Sequence, residues 1–296
     1  LTLNISSEWT RQVELGKQPT QADLLDHLKL VHQNHTGFTE KIANNCKDEF
    51  GKNSYDILLG VLDKKKHFNV LDIACGSGFM LDLCNKRFEG KLNLTGIDMS
   101  SAELELARKK LSSTKIKLYK SMAQNLDFIE DNSFEAILCH WALPLMDSIE
   151  IVFTTIKRIL KSRGIFAAII DGDINSAPEY LDIYNIIYKY VQLEYPNYGS
   201  IELGDLRVRN SIELHKVAFK SFSNAEVNIT NHLLYFSDCP KALAIEVAGF
   251  FYASFVLSIK GHKNMLIELE NYFLSKVDQG ISRFTMPVNL LLVNFK

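Results

Sequence analysis

Val70-Leu71-Asp72-Ile73-Ala74-Cys75-Gly76-Ser77-Gly78-Phe79 decides how the rest of the chain is read. An apolar run from Asn69 to Ala74 stops on two glycines, after which Phe79, Met80, Leu83 and Cys84 recur at helical spacing. Strand, glycine turn and helix follow from that change of period. Downstream, Leu92 to Ile97 is a second strand ending at Asp98. A helix from about Ala102 to Leu111 follows it, with Ser100 or Ser101 as its N-cap. Ile116 to Tyr119, Ala136 to His140 and Gly164 to Asp171 are three further strands, with a helix from about Ile149 to Leu160 before the last. Such alternation predicts a mostly parallel α/β sheet covered by helices on both faces.

Outside this block the periodicity is helical. Leu24, Leu25, Leu28 and Val31 share a face, so residues 1–62 are expected as an N-terminal helical cap. Residues 63–296 form the α/β domain, with a Tyr-rich helical lid inserted at about 174–224 and a second helical insertion at about 240–280. Between the insertions, Ala225 to Phe236 has strand character. Val288 to Phe295 closes the domain as a final apolar strand.

The glycine turn allows a backbone to approach a ligand closely. A dinucleotide fingerprint needs a third glycine where Leu81 stands, which weakens the NAD reading. S-adenosylmethionine (SAM) has no pyrophosphate, so the loop need only curve round its amino-acid tail. Asp72 is placed to take the ammonium, and Asp98, 20 positions beyond Gly78, to accept from both ribose hydroxyls. By spacing alone, Asp98 suits NAD equally.

LDIACGSG, GIDMS, AQNLDFIEDNSFEAIL and LKSRGIFAAI, in that order, resemble successive motifs of the class I SAM-dependent methyltransferases. The likeness covers roughly residues 65–175 and extends loosely to PVNLLLVNFK, which looks like the last strand of that Rossmann-like fold, antiparallel to its neighbours. It is nearest in style to the ubiquinone/menaquinone-biosynthesis-like group of small-molecule methyltransferases, with the acidic turn Glu130-Asp131-Asn132-Ser133-Phe134 before the fourth strand. The resemblance implies that Asp72, Ala74, Cys75, Gly76 and Gly78 line the methionine side of SAM. It places Asp98 and Met99 at the ribose and adenine, Ala123 and Gln124 at the adenine edge, and His140 beside the cofactor. The product would be S-adenosylhomocysteine (SAH). Two positions depart from the pattern. Ala74 replaces the usual first glycine, and Met122 stands where an acid commonly receives the adenine amine, leaving that amine to a backbone carbonyl or to Gln124.

His140 and Asp171 are the candidate catalytic residues because each ends a strand at the rim where ligands bind. His140 is equally readable as a ring packed against the sulfonium or bonded to backbone, and Asp171, like Asp173, as a loop or cap residue. Trp141 at the same rim and Tyr180 and Tyr184 of the lid are candidate substrate contacts, against core packing as the alternative. Cys75 and Cys139 read as small buried hydrophobes rather than nucleophiles. No metal is expected, since His27, His32 and His35 lack carboxylate or thiol companions.

Composition narrows the partners. Among the 296 residues 47% are apolar and 23% charged, ordinary for a folded domain. A formal net charge of −2 provides no broad basic field for nucleic acid. The longest apolar stretches fall well short of the ~20 residues of a membrane span. Leu1 to Trp9 lack the pattern of a secretion signal, and five cysteines without a C-x-x-C pair fit a reduced, cytoplasmic setting. The motifs do not specify an oligomeric state. Together these features predict a SAM-dependent methyltransferase that transfers the methyl group to a small-molecule acceptor by in-line displacement in a lidded pocket. A catalytically silent SAM-binding protein and an enzyme acting on a macromolecule are the rivals. Cys139-His140-Trp141-Ala142 lacks the Asn/Asp-Pro-Pro-Tyr of amino-methylating nucleic-acid enzymes.

Overall fold

The computed structural model describes residues 3–201 and 203–295. Seven strands form one sheet: β1 (Asn69–Ile73), β2 (Asn93–Asp98), β3 (Lys117–Lys120), β4 (Phe134–His140), β5 (Leu160–Asp171), β6 (Ala225–Asp238) and β7 (Ser282–Phe295). Their order is β3-β2-β1-β4-β5-β7-β6. β1 to β5 run parallel, and β7 lies antiparallel to β5 with Asp171 opposite Val288 and Ile165 opposite Asn294. The expected parallel sheet with a late antiparallel strand is thus present.

Twelve α-helices accompany it among the described residues. In chain order α1 to α4 are Glu8–Glu14, Gln21–Asn34, Phe38–Asn45 and Ser54–Leu59. α5 to α8 are Phe79–Arg87, Ser101–Lys110, Ile149–Ile159 and Pro178–Glu194. α9 to α12 are Ser211–Ser221, Pro240–Ala248, Tyr252–Phe255 and Ile259–Ser275. Short 3-10 turns at Leu143–Leu145 and Leu206–Arg209 follow β4 and precede α9.

The chain divides into two compact units. One, the sheet unit, comprises Ser54–Asp173, Gly204–His232 and the residues from Val288 onward. Its best-defined core lies on one face of the sheet. Ile73, Ile137, Cys139, Phe166, Ala168 and Ile170 are buried there with Val152, Phe153 and Ile156 of α7 and Leu214, Ala218 and Phe222 of α9. Burying such side chains contributes roughly 1.5–3 kcal/mol each before chain entropy is counted, enough to anchor the strands whose ends carry the site.

The helical unit contains the residues up to Asn53, Ile174–Leu203 and Leu233–Pro287. Ile5, Val31 and Phe255 form one of its cores. The Glu194 carboxylate at the end of α8 accepts from Ser258 N and Oγ (2.8 and 2.6 Å) at the start of α12, where a helix N-terminus favours negative charge. Tyr180 packs on Phe251 and Phe284, and Tyr184 stacks on Tyr188 at 3.9 Å.

These units divide the chain differently from the expected cap and lid. α4, read as the end of the cap, groups with the sheet unit because Ser54 and Tyr55 contact His140 of β4. The segment expected as one lid at 174–224 splits at Gly204, since Val208 and Leu214 are buried in the core of the sheet unit. The helical insertion expected at about 240–280 breaks at Gly249, after which Ser254 Oγ donates to the carbonyls of Ala248 and Phe251. α1 lies within the expected helical cap, though the sequence reading delimits no helix there. Its signal is the reciprocal cap in which Ser7 and Thr10 bond each other's backbone N–H.

Candidate functional site

The carboxyl end of β1 carries Asp72, 2% exposed, and neither of its side-chain oxygens accepts a hydrogen bond among the described residues. Burial pushes its carboxyl well above the usual range, and the nearby charge of Asp98 adds to this. A cationic ligand group beside it would restore the ionised form and supply the missing donors.

Beyond Asp72 the chain enters the left-handed region at alternate residues: φ is 56° at Ala74, 52° at Gly76 and 78° at Gly78. The loop is held to β2 at two points. Cys75 N donates to Ile97 O (2.9 Å), and Gly76 N donates to Asp98 Oδ2 (2.9 Å). The other Asp98 oxygen accepts from Ser100 N (2.7 Å), and Ser100 Oγ caps α6 by accepting from Glu103 N. One carboxylate therefore ties the glycine loop to the start of α6.

The two glycines have different reasons to be glycine. A Cβ at Gly78 would sit 2.9 Å from Leu111 Cδ1 and 3.1 Å from Ala107 Cβ, so this residue allows α5 to close on α6. A Cβ at Gly76 would meet nothing nearer than Glu103 Oε2 at 3.8 Å, so this position faces open space where a ligand fits. On the outer side, Lys110 Nζ donates to Ser77 Oγ (2.8 Å) and lies 5.1 Å above the Phe79 ring.

Ala74 adopts a conformation that costs a non-glycine residue about 1–2 kcal/mol. Ala74→Gly gives back roughly 0.4–1 kcal/mol of that in chain entropy. The net expectation is a gain of up to about 1 kcal/mol in stability, read as a higher urea midpoint; a lower midpoint would show that the turn holds Ala74 without strain.

The residues expected at the adenine edge follow β3. Ser121 N donates to Asp98 O (3.1 Å), which draws Ala123 and Gln124 to the end of β2, where Met99 is half-buried. Gln124 Nε2 donates to Asp147 O (2.8 Å), so its amide nitrogen is committed and its Oε1 is oriented as an acceptor. Asp72 and the glycine loop follow β1, Asp98 and Met99 end β2, and Ala123 and Gln124 follow β3.

His140 and Trp141 end β4. Ser54 Oγ lies 2.9 Å from His140 Nε2, and the Tyr55 ring stacks on the imidazole with centroids 3.8 Å apart. Tyr55 also packs on Phe79 at 4.6 Å, so α4 links β4 to the glycine loop. Desolvation pushes the His140 imidazole down to about 3, which keeps it neutral. Trp141 has φ 52°, an outlier for a bulky side chain and the kind of strain that gathers at ligand sites. Asp171 is ion-paired, Oδ2 accepting from Arg209 Nη1 at 2.9 Å. Tyr180 and Tyr184 belong to the helical unit. Burial raises the Cys75 and Cys139 thiols above their ordinary range. Among the described residues no group of three or more His, Cys, Asp or Glu side chains is arranged to hold a metal ion, and no helix is long and apolar enough to cross a membrane.

Sequence reasoning missed Ser54, Tyr55, Lys110, Arg209 and Asn289. Only Asn289 left a local signal, as a polar residue within the apolar run Val288 to Val293.

Residues 71–168 match the methyltransferase-domain family. The demethylmenaquinone methyltransferase of Staphylococcus aureus (strain MRSA252) is 27% identical over 138 residues, 46% of this chain and 55% of that protein. The chain spans about half the length of this curated relative. Among solved structures, the phosphoethanolamine N-methyltransferase 2 of Haemonchus contortus aligns with TM-score 0.56 at 17% identity, over 92% of this chain and 60% of that one. The 4+2 cyclase SpnF aligns with TM-score 0.57 at 16% identity, over 94% and 97%. These structures share the fold. The family match covers residues 71–168, and the strand order is that of the Rossmann-like fold these structures share.

Proposed function

We propose that this chain, built on a class I methyltransferase domain, transfers the methyl group of SAM to a small-molecule acceptor. The observation that carries the reading is the pair of buried carboxylates at the ends of β1 and β2. Asp72 has no hydrogen-bond donor among the described residues, and Asp98 organises a loop that opens at Gly76. SAM fits this donor set, Asp72 facing its ammonium, Asp98 and Met99 its ribose, Ala123 and Gln124 Oε1 its adenine edge. Bound there, it supplies an activated methyl group on a sulfonium. The likeness to a demethylmenaquinone methyltransferase supports an acceptor of the small organic kind. Free cysteines agree with the cytoplasmic setting.

Within this reading the protein aligns and desolvates the reactants rather than moving protons. His140 is a positioning residue. Its Nε2 is engaged by Ser54, its ring is clamped by Tyr55, and an imidazole pushed down to about 3 is a weak base. Asp171, paired with Arg209, serves the acceptor side through shape and charge.

Isotope-labelled SAM offered with phenol, hydroquinone, amine and thiol acceptors tests the reading, with methylated product read by mass spectrometry. The pH profile of product formation is expected to show no inflection from His140 between pH 5 and 8, and His140→Asn to retain turnover within about 10-fold. A general-base role predicts a break near neutrality and a loss of about 100-fold or more. Binding of SAM or SAH with no product from any acceptor class would favour the catalytically silent alternative. The departures from the family pattern at Ala74 and Met122 give that alternative its support.

A further inference from the structure

Asn289 stands in the run Pro287-Val288-Asn289-Leu290-Leu291-Leu292-Val293 of β7 and is 1% exposed. It pairs with Ile170 of β5 and so shares the sheet face on which Ile170, Leu291, Val208 and Leu214 form the core. Its Nδ2 reaches up to the main-chain oxygen of Asp171 at a long 3.4 Å. Its Oδ1 is buried without a hydrogen-bond partner among the described residues. Both atoms end one planar amide, which places the unsatisfied oxygen at the same rim as Asp171.

Asp171, whose main-chain oxygen the amide reaches, pairs through its side chain with Arg209, each side chain 31% exposed, so this end of β5 is open to solvent. The turn that carries Arg209 is seated against Pro144 and Leu145, just beyond Trp141, through close backbone approach at Gly204. The ends of β4 and β5, residues Val288 and Asn289 of β7 and the turn at Leu206–Arg209 thus meet at one side of the sheet unit. An amide used only for packing would serve no better than the leucines and valines around it, and leaving its oxygen unpaired is costly.

We propose that Asn289, Asp171 and Arg209 form the acceptor-recognition subsite, in which Asn289 Oδ1 receives an O–H or N–H group of the methyl acceptor. This rests on the methyltransferase reading. The ligand class is a small molecule bearing a hydroxyl or amino hydrogen. Asp171, held by Arg209, presents further acceptor oxygens beside it.

The test compares wild type, Asn289→Val and Asn289→Thr by thermal melting, alone, with SAH, and with SAH plus catechol, aniline or 1,2-dimethoxybenzene. Without ligand, Asn289→Val is expected to melt about 2 °C above wild type, because the unpaired amide is gone. SAH is expected to shift all three proteins equally. Catechol or aniline adds a further rise in wild type and Asn289→Thr but not in Asn289→Val, whereas 1,2-dimethoxybenzene, which has no donor, adds none. A lower melting point for Asn289→Val would overturn the proposal, since the amide would then be satisfied internally, by a buried water. Equal responses to catechol, aniline and 1,2-dimethoxybenzene, or to any of them in wild type and Asn289→Val, overturn it as well. A wild type indifferent to SAH overturns the methyltransferase reading beneath it, and the subsite with it.

Discussion

Asp98→Ala is expected to weaken SAM and SAH binding by about 100-fold or more, measured by calorimetry, while the protein stays folded. The carboxylate is 8% exposed and accepts from Gly76 N at 2.9 Å and Ser100 N at 2.7 Å. Hydrogen bonds to a buried charge are worth about 1.5–3 kcal/mol each, and a loss of about 3 kcal/mol corresponds to roughly 100-fold in affinity. The loop bonds and the expected ribose bonds draw on the same two oxygens, so alanine removes ligand contact and loop order together. Asp98→Asn separates the two. Its remaining carbonyl oxygen serves one N–H while its NH2 faces the other, so an intermediate affinity is expected. If alanine left SAH affinity unchanged, the cofactor would not bind at this loop.

How much of this was legible beforehand depends on whether the signal is local. Asp98, Ser100 and Gly78 could be placed because a strand end, a helix cap and a helix-packing glycine each leave a mark within a few residues. The same locality accounts for β7 as a strand, announced by one apolar run after helices, while its antiparallel direction follows from the family resemblance. Ser54 and Tyr55 were not legible, since their contact with His140 joins residues 86 positions apart for the Ser54 bond and no periodicity records which surfaces meet. Likewise, nothing near Asp171 announces Arg209, 38 positions on, so a strand-end carboxylate that read as a candidate base turns out to be ion-paired. The break at Gly249 was hidden by continuous apolar periodicity on either side. Helical period identifies an exposed and a buried face but not the neighbour each face packs against, which is why the two units divide the helical segments differently from the cap and lid read from the sequence.

The largest loss of stability is expected from Gly204→Ala. Gly204 has φ +74°, and a Cβ there would lie 2.1 Å from the main-chain oxygen of Pro144 and 2.9 Å from Leu145 Cα. Those atoms are backbone, so no rotamer change relieves the overlap. Either the turn after β4 or the segment leading to Arg209 must move. A forced left-handed alanine costs about 1–2 kcal/mol, and overpacking a fixed contact adds about 1–3 kcal/mol, so a loss of about 3 kcal/mol or more is expected in chemical denaturation. The displaced residues join Trp141 to α7 on one side and carry Arg209 on the other, whereas Asp98 and the glycine loop lie on different elements. Molecules that remain folded should therefore bind SAH with affinity close to wild type but turn over an acceptor poorly. A parallel loss of SAH affinity would mean that the acceptor rim and the glycine loop respond as one body.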